Sequence, residues 1–182
     1  MEAVWDDFVE AYDSGDWATV VSLTSSEGIA YFRQLQKSAA TAGPEAIREL
    51  DTYQRTVIAT LRGAGDHDRA NAPTEELLTL LHGYRILGGG PGDIRELRIQ
   101  RIQVLGDKAF TRIWQSPTSA WEIDFELEGG EWMVDLSDIA YIAGDAFETI
   151  AARRNIPLDR LMLAFASKVA GEPVTEAVWQ KP

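Results

Sequence analysis

The stretch that decides the fold is Trp121-Glu122-Ile123-Asp124-Phe125-Glu126-Leu127-Glu128, then Gly129-Gly130, then Glu131-Trp132-Met133-Val134-Asp135-Leu136. Apolar and acidic residues alternate without a break through its first eight positions. A period of two is the pattern of a half-buried strand with one apolar and one acidic face. Gly129-Gly130 supplies a two-residue hairpin turn, because glycine takes positive φ without steric cost. That turn sets Leu127 opposite Trp132, Phe125 opposite Val134 and Ile123 opposite Leu136, and it sets Asp124 opposite Asp135 on the other face.

Working upstream, Ser116-Pro117-Thr118-Ser119 reads as a looser turn and Leu105-Gly106-Asp107-Lys108 as a tight one. Together these punctuate a four-stranded antiparallel meander over about residues 94–137. The first strand has a phase fault. Leu97 and Ile99 are odd-numbered, whereas Ile102 and Val104 are even. One face holds all four only if a bulge sits near Gln100-Arg101, and a bulge there curls the sheet. The tight turn sets Arg101 opposite Arg112. An even closure of the middle turn sets Arg112 opposite Asp124, so the outer face carries the row Arg101–Arg112–Asp124–Asp135. Phe110, Trp114 and Met133 share that face. Large apolar groups on a nominally polar face imply a cover, either the C-terminal helices or a second copy of the chain in a homodimer.

Outside the sheet the period is 3.6, with helices over about residues 2–87. Trp5, Phe8, Val9 and Tyr12 form one helical face that Ser14-Gly15 ends, and Asp16 caps a second helix. A third helix spans about Ser26 to Thr41. A fourth opens at Pro44 and carries Ile47, Leu50, Val57, Ile58 and Leu61 on one stripe. Residues Gly63 to Pro73 read as a surface loop, Thr74 opens a leucine-rich helix, and Gly88 to Gly92 is a joint. After the sheet, Asp145-Ala146-Phe147-Glu148 resembles a capping box, and Pro157 opens a last helix in a tail over about 145–182. Val174, Val178 and Trp179 anchor its end. The fold class is α+β, read by length as one domain over 1–182.

Composition excludes several functions. With 17 Lys plus Arg against 29 Asp plus Glu, the net charge of −12 disfavours nucleic acid and anionic membrane surfaces. With no cysteine, disulfides, thiolate catalysis and Cys-bound zinc are out. The acidic Met1-Glu2-Ala3-Val4-Trp5-Asp6-Asp7 start lacks the basic and apolar regions of a signal peptide, and no apolar run reaches membrane-spanning length. The expectation is a cytoplasmic protein.

Two stretches carry a likeness to a known family. Phe8-Val9-Glu10-Ala11-Tyr12-Asp13-Ser14-Gly15-Asp16-Trp17 looks like its opening helices, and Glu128 to Leu136 like its closing strand. On these the chain resembles the NTF2-like (cystatin-like α+β cone) superfamily. The resemblance implies a conical domain with a pocket between sheet and helices, and often a sheet-mediated dimer. It implies no single activity, since that fold hosts isomerases, dehydratases, binding modules and accessory proteins. The strand pair that many members place between their early helices is missing here, where Ile29 to Leu61 reads helical, and the tail from Asp145 is extra.

Three residues are candidates for chemistry. His82 follows Leu81 near the end of the leucine-rich helix, where it serves either as a general base or simply as a partner of the helix C-terminus. Asp124 and Asp135 are directly opposed carboxylates, the arrangement that raises one pKa and makes an acid/base pair; a salt-bridge ladder on the outer face is the plainer account. The acids Glu122, Asp124, Glu126 and Glu128 form a line, unlike the wrapped oxygens of a calcium site, and read as a solvated face. His67, between Asp66 and Asp68, reads as a surface loop rather than a metal site. Gly88 to Gly92 follows a helix and precedes a strand, the reverse of a phosphate loop, and no G-x-S-x-G occurs. No cofactor and no metal are expected. Three function classes stay open: a non-catalytic module for a small apolar ligand or a protein partner, an isomerase- or dehydratase-type enzyme, and a structural accessory subunit.

Overall fold

A computed structural model describes residues 1–68, 72–87, 98–116 and 119–182. The Gly88 to Gly92 joint, Leu97 and the Pro117-Thr118 turn lie outside the described residues, as does the side chain of Trp114. The architecture is α+β. Among the described residues, helices α1 (Glu2–Ser14), α2 (Trp17–Ser22), α3 (Ser26–Thr41), α4 (Pro44–Arg48), α5 (Thr52–Gly63) and α6 (Thr74–Gly83) precede the sheet. Strands β1 (Arg98–Leu105), β2 (Lys108–Ser116), β3 (Ser119–Glu128) and β4 (Glu131–Val134) form one antiparallel sheet in the order β1-β2-β3-β4. Helices α7 (Leu136–Arg154) and α8 (Leu158–Ala170) and a 3-10 turn (Glu176–Trp179) follow. The chain divides into two compact units: Met1–Tyr31 with Thr74–Ile139, and Phe32–Pro73 with Ala140–Pro182.

In the first unit, α1 buries Trp5, Phe8 and Tyr12 of the predicted face together with Ala11, while Val9 is half-buried. It ends at Gly15 in the left-handed conformation (φ 76°), whose N–H reaches back to the carbonyls of Ala11 and Tyr12. Asp16 caps α2 by accepting from Thr19 N–H at 3.1 Å. The inner face of the sheet buries Ala109, Thr111, Ile123, Phe125 and Val134, and Trp5 packs edge-on against Phe125. The bulge predicted in the first strand is present between Ile99 and Arg101, and it places Arg101 opposite Arg112. Gly129 and Gly130 both take positive φ, with Leu127 opposite Trp132 and Phe125 opposite Val134.

Two register expectations fail. Arg112 opposes Glu122, not Asp124, and Asp124 opposes Phe110. The middle turn closes with Ser116 opposite Ser119 and the register slips by one more residue between Trp114 and Ser116, so the partner of Arg112 lies two residues from the expected one. A two-residue slip keeps every side chain on its predicted face, because faces repeat with period two. Leu136 is not a strand residue opposite Ile123, because β4 stops at Val134 and Leu136 opens α7. The helix expected from Asp145 therefore begins earlier, at Leu136.

In the second unit, the single helix predicted from Pro44 is two. Asp51 takes extended backbone and accepts from Gln54 N–H at 2.8 Å, while Gln54 Oε1 accepts from Asp51 N–H at 3.3 Å. This capping box opens α5 and ends the continuity of the stripe. Helix α7 carries Gly144 in its interior because a Cβ there would lie 3.2 Å from Tyr53 N. The last segment is anchored as expected. Val174 fills the space beside Gly63, where an added Cβ would come within 2.6 Å of it. Arg62 donates to Val178 O at 2.9 Å and Gln180 O at 2.7 Å, and Arg55 lies over the Trp179 ring at 5.7 Å.

Candidate functional site

The end of β4 gathers three carboxyl groups. Asp135 N–H donates to Asp124 O at 2.8 Å, which continues the β3–β4 ladder by one step. The chain then turns into α7, so no carbonyl is left to answer the Asp124 N–H. Asp138 Oδ2 takes its place, accepting from Asp124 N–H at 2.7 Å. Asp135 becomes the residue before the helix: its Oδ1 accepts from Ser137 N–H at 2.9 Å and Ser137 Oγ–H at 2.7 Å. Gly28 of α3 packs beside this junction, since an added Cβ would sit 3.1 Å from both Asp135 Oδ1 and Leu136 N.

Electrostatics follow from that crowding. Burial pushes the Asp138 carboxyl up to about 7, and the charges of Asp135, Asp124 and Glu122 add to the effect, while the Asp124 N–H opposes it. Burial also raises Asp124 above the ordinary carboxylate range, with Asp135 the largest neighbouring charge. The predicted pairing of Asp124 with Asp135 thus holds, but the group held most nearly neutral is Asp138, which sequence reasoning missed. Its signal was present in Asp135-Leu136-Ser137-Asp138, an acidic residue three positions after a helix-capping one. Among the described residues, no group of three or more His, Cys, Asp or Glu is placed to hold a metal ion.

The acidic line of β3 is not simply solvated. Glu128 Oε1 caps α3, accepting from Ser26 N–H at 2.7 Å and Ser26 Oγ–H at 2.8 Å. Glu126 pairs with Lys108 at 2.8 Å, and Glu27 reaches the same ammonium at 3.5 Å. Glu126 first, then Glu27, holds Lys108 above its ordinary value. The outer-face row that the register delivers is Arg101–Arg112–Glu122.

His82 does not join the carboxylates. It is exposed on α6, with its ring 5.1 Å from Trp17 and perpendicular to Tyr12 at 6.1 Å. The charges acting on Asp124 are Asp135, Glu122, Lys108 and Glu126, and His82 is not among them. His67 Nδ1 has no hydrogen-bond partner among the described residues.

Large apolar groups are exposed on both faces of the sheet, Val104 on the inner face and Leu105 and Phe110 on the outer. Val104 is 52% exposed, Leu105 67% and Phe110 38%, while Met133 is half-buried. Among the described residues, no helix is long and apolar enough to cross a membrane. Comparison with protein-family models, with curated proteins and with solved structures gave no match.

Proposed function

We propose that this chain is a non-catalytic protein-interaction module whose docking element is the outer edge of β1. The observation behind this reading is that the two edges of the sheet are treated differently. Along β4, Ser25 N–H donates to Val134 O and Val134 N–H to Leu23 O, each at 2.8 Å, so residues 23–25 close that edge at Val134. Along β1, no described strand pairs outward, and Val104 and Leu105 stand exposed. An open edge with apolar side chains is a template for an added strand.

Alternation of the ladder identifies the groups on offer. The bond from Asp135 N–H to Asp124 O directs Asp124 toward β4. Its neighbours Ile123 and Phe125 therefore bond to β2, through Thr111 and Ala109. Phe110 and Arg112 then bond to β1, through Gln103 and Arg101. Ile102 and Val104 are left with their N–H and C=O directed outward.

Val104→Pro tests this, because it removes an outward donor and no β1–β2 bond. The expected result is that a protein co-purifying with the wild-type chain is lost from the variant, and that the Ile102 and Val104 amides are protected from exchange in the reconstituted complex. A partner retained by the variant with no loss of affinity refutes the reading.

A second reading, a small-ligand module of NTF2-like type, has one observation behind it. Trp5 is 3% exposed, stacked on Phe8, and its Nε1–H has no acceptor among the described residues. A buried donor without an acceptor costs about 1–3 kcal/mol, which a bound carbonyl or hydroxyl compound would recover. Native mass spectrometry checks it: an adduct lost on denaturation and absent from Trp5→Phe supports it, and a bare chain mass in the wild type counts against it.

A further inference from the structure

We infer that the strand taken up by β1 is acidic: an extended segment alternating carboxylate and apolar side chains, read by Arg101 and Arg112. The inference rests on the reading of β1 as the docking edge and adds the chemistry of the partner. After the bulge, Arg101 sits on the outer face directly opposite Arg112, and Glu122 follows on the far side of Arg112. Like charges directly opposed on a sheet repel, so this row is short of one anion. Both arginines are exposed, and among the described residues neither forms an ion pair. In a chain with 29 acidic and 17 basic residues, the two cations stand together on neighbouring strands, Arg112 on β2 and Arg101 on β1, whose outer side has no partner among the described strands.

A strand added to β1 places alternate side chains on the two faces. Those on the outer face lie beside Arg101, and a carboxylate there completes the row as acid–Arg101–Arg112–Glu122. Those on the inner face lie beside Ile102 and Val104 and cover apolar surface. The favoured partner therefore alternates acid and apolar residues. The same charges argue against β1 of a second copy as the occupant, since self-pairing would bring four arginines to one edge. The net charge of −12 repels an acidic peptide at long range, but that repulsion is largely screened beyond about 8–10 Å at physiological salt, whereas contact pairs are weakened less.

The experiment uses the whole chain and two short dye-labelled peptides, one alternating Glu and Val and one alternating Gln and Val, read by fluorescence anisotropy. The expected result is that the Glu peptide binds about fivefold more tightly, a factor suited to exposed ion pairs. Arg101→Gln brings that ratio close to one, added salt reduces it, and Val104→Pro weakens both peptides. Arg101 is exposed, so its variant keeps the wild-type melting profile. Equal affinity for the two peptides, or a ratio that survives both Arg101→Gln and Arg112→Gln, overturns the acidic partner and leaves the docking edge standing. Binding that Val104→Pro does not change, or no binding of either peptide, overturns the docking edge and this inference with it. Self-association that Val104→Pro abolishes identifies a second copy as the occupant and overturns the acidic partner.

Discussion

Asp138→Asn should stabilise the protein at neutral pH and leave it unchanged in acid. The carboxyl stands at about 7 in the folded chain against its ordinary 3.8, raised first by burial. Below pH 4 it is protonated in both folded and unfolded states and contributes nothing to the difference. As pH rises from about 4, the unfolded chain releases its proton while the folded chain keeps it, so stability falls until the folded group also ionises near pH 7. Above that the whole loss persists. At 1.36 kcal/mol per pKa unit, the gap between 3.8 and about 7 is worth at most about 4 kcal/mol. Partial exposure of the side chain lowers the expectation to about 1–3 kcal/mol. Asparagine keeps an oxygen for the Asp124 N–H that now donates at 2.7 Å, and offers its amide to the neighbouring carboxylates. The assay is urea unfolding of both proteins across pH 4–8, followed by tryptophan fluorescence. Because all other groups are shared, the difference between the two curves isolates Asp138 and should grow across that range. A difference that stays flat with pH, or a variant less stable at pH 8, refutes the reasoning.

Other substitutions test the second unit and the helix contacts. Arg62 is partly desolvated, which lowers its pKa, and it donates to the carbonyls of Ala39 (2.8 Å), Ser38 (3.2 Å), Ala42 (2.7 Å), Val178 and Gln180. Arg62→Ala should cost about 2–4 kcal/mol in chemical denaturation and expose the segment after Gly171 to protease, whereas Arg62→Lys recovers only part, having one nitrogen for five acceptors. Gly28→Ala should destabilise by about 1–3 kcal/mol, because its Cβ meets Leu136 backbone and Asp135 at 3.1 Å, while Gly83→Ala, with open space around it, should be neutral or gain up to about 1 kcal/mol; thermal melts of the pair separate packing from helix propensity.

The two sheet edges illustrate how local chemistry and fold divide the work. The β4 edge is closed at Val134 by a backbone segment between α2 and α3, and nothing in Leu23-Thr24-Ser25 announces that role. Beyond the bulge no described strand pairs with the outer side of β1, and its residues Ile102, Val104 and Leu105 look like any half-buried strand in sequence. Only the strand order reveals that Val104 is an edge residue with an outward N–H.

Sequence by itself determined the elements whose cause is local. The alternation from Trp121 to Glu128, the Gly129-Gly130 turn and the phase fault between Ile99 and Ile102 gave the α+β class, two of three registers and the bulge. Period, turn chemistry and side-chain parity are properties of neighbours along the chain, so they can be read there. Asp51 and Asp138 show the limit of that reading: both sit in capping patterns, but a continuous apolar stripe around Ile47 to Leu61, and an apparent strand through Leu136, outweighed them. Tertiary structure alone decided the rest. It set Arg112 against Glu122 through the closure of the middle turn and a slip at Trp114/Ser116, placed His82 on Trp17 rather than beside the carboxylates, and raised Asp138 by burying it where β4 ends. Each of these depends on which distant surfaces meet, and desolvation and cross-strand pairing are properties of that meeting rather than of any one segment.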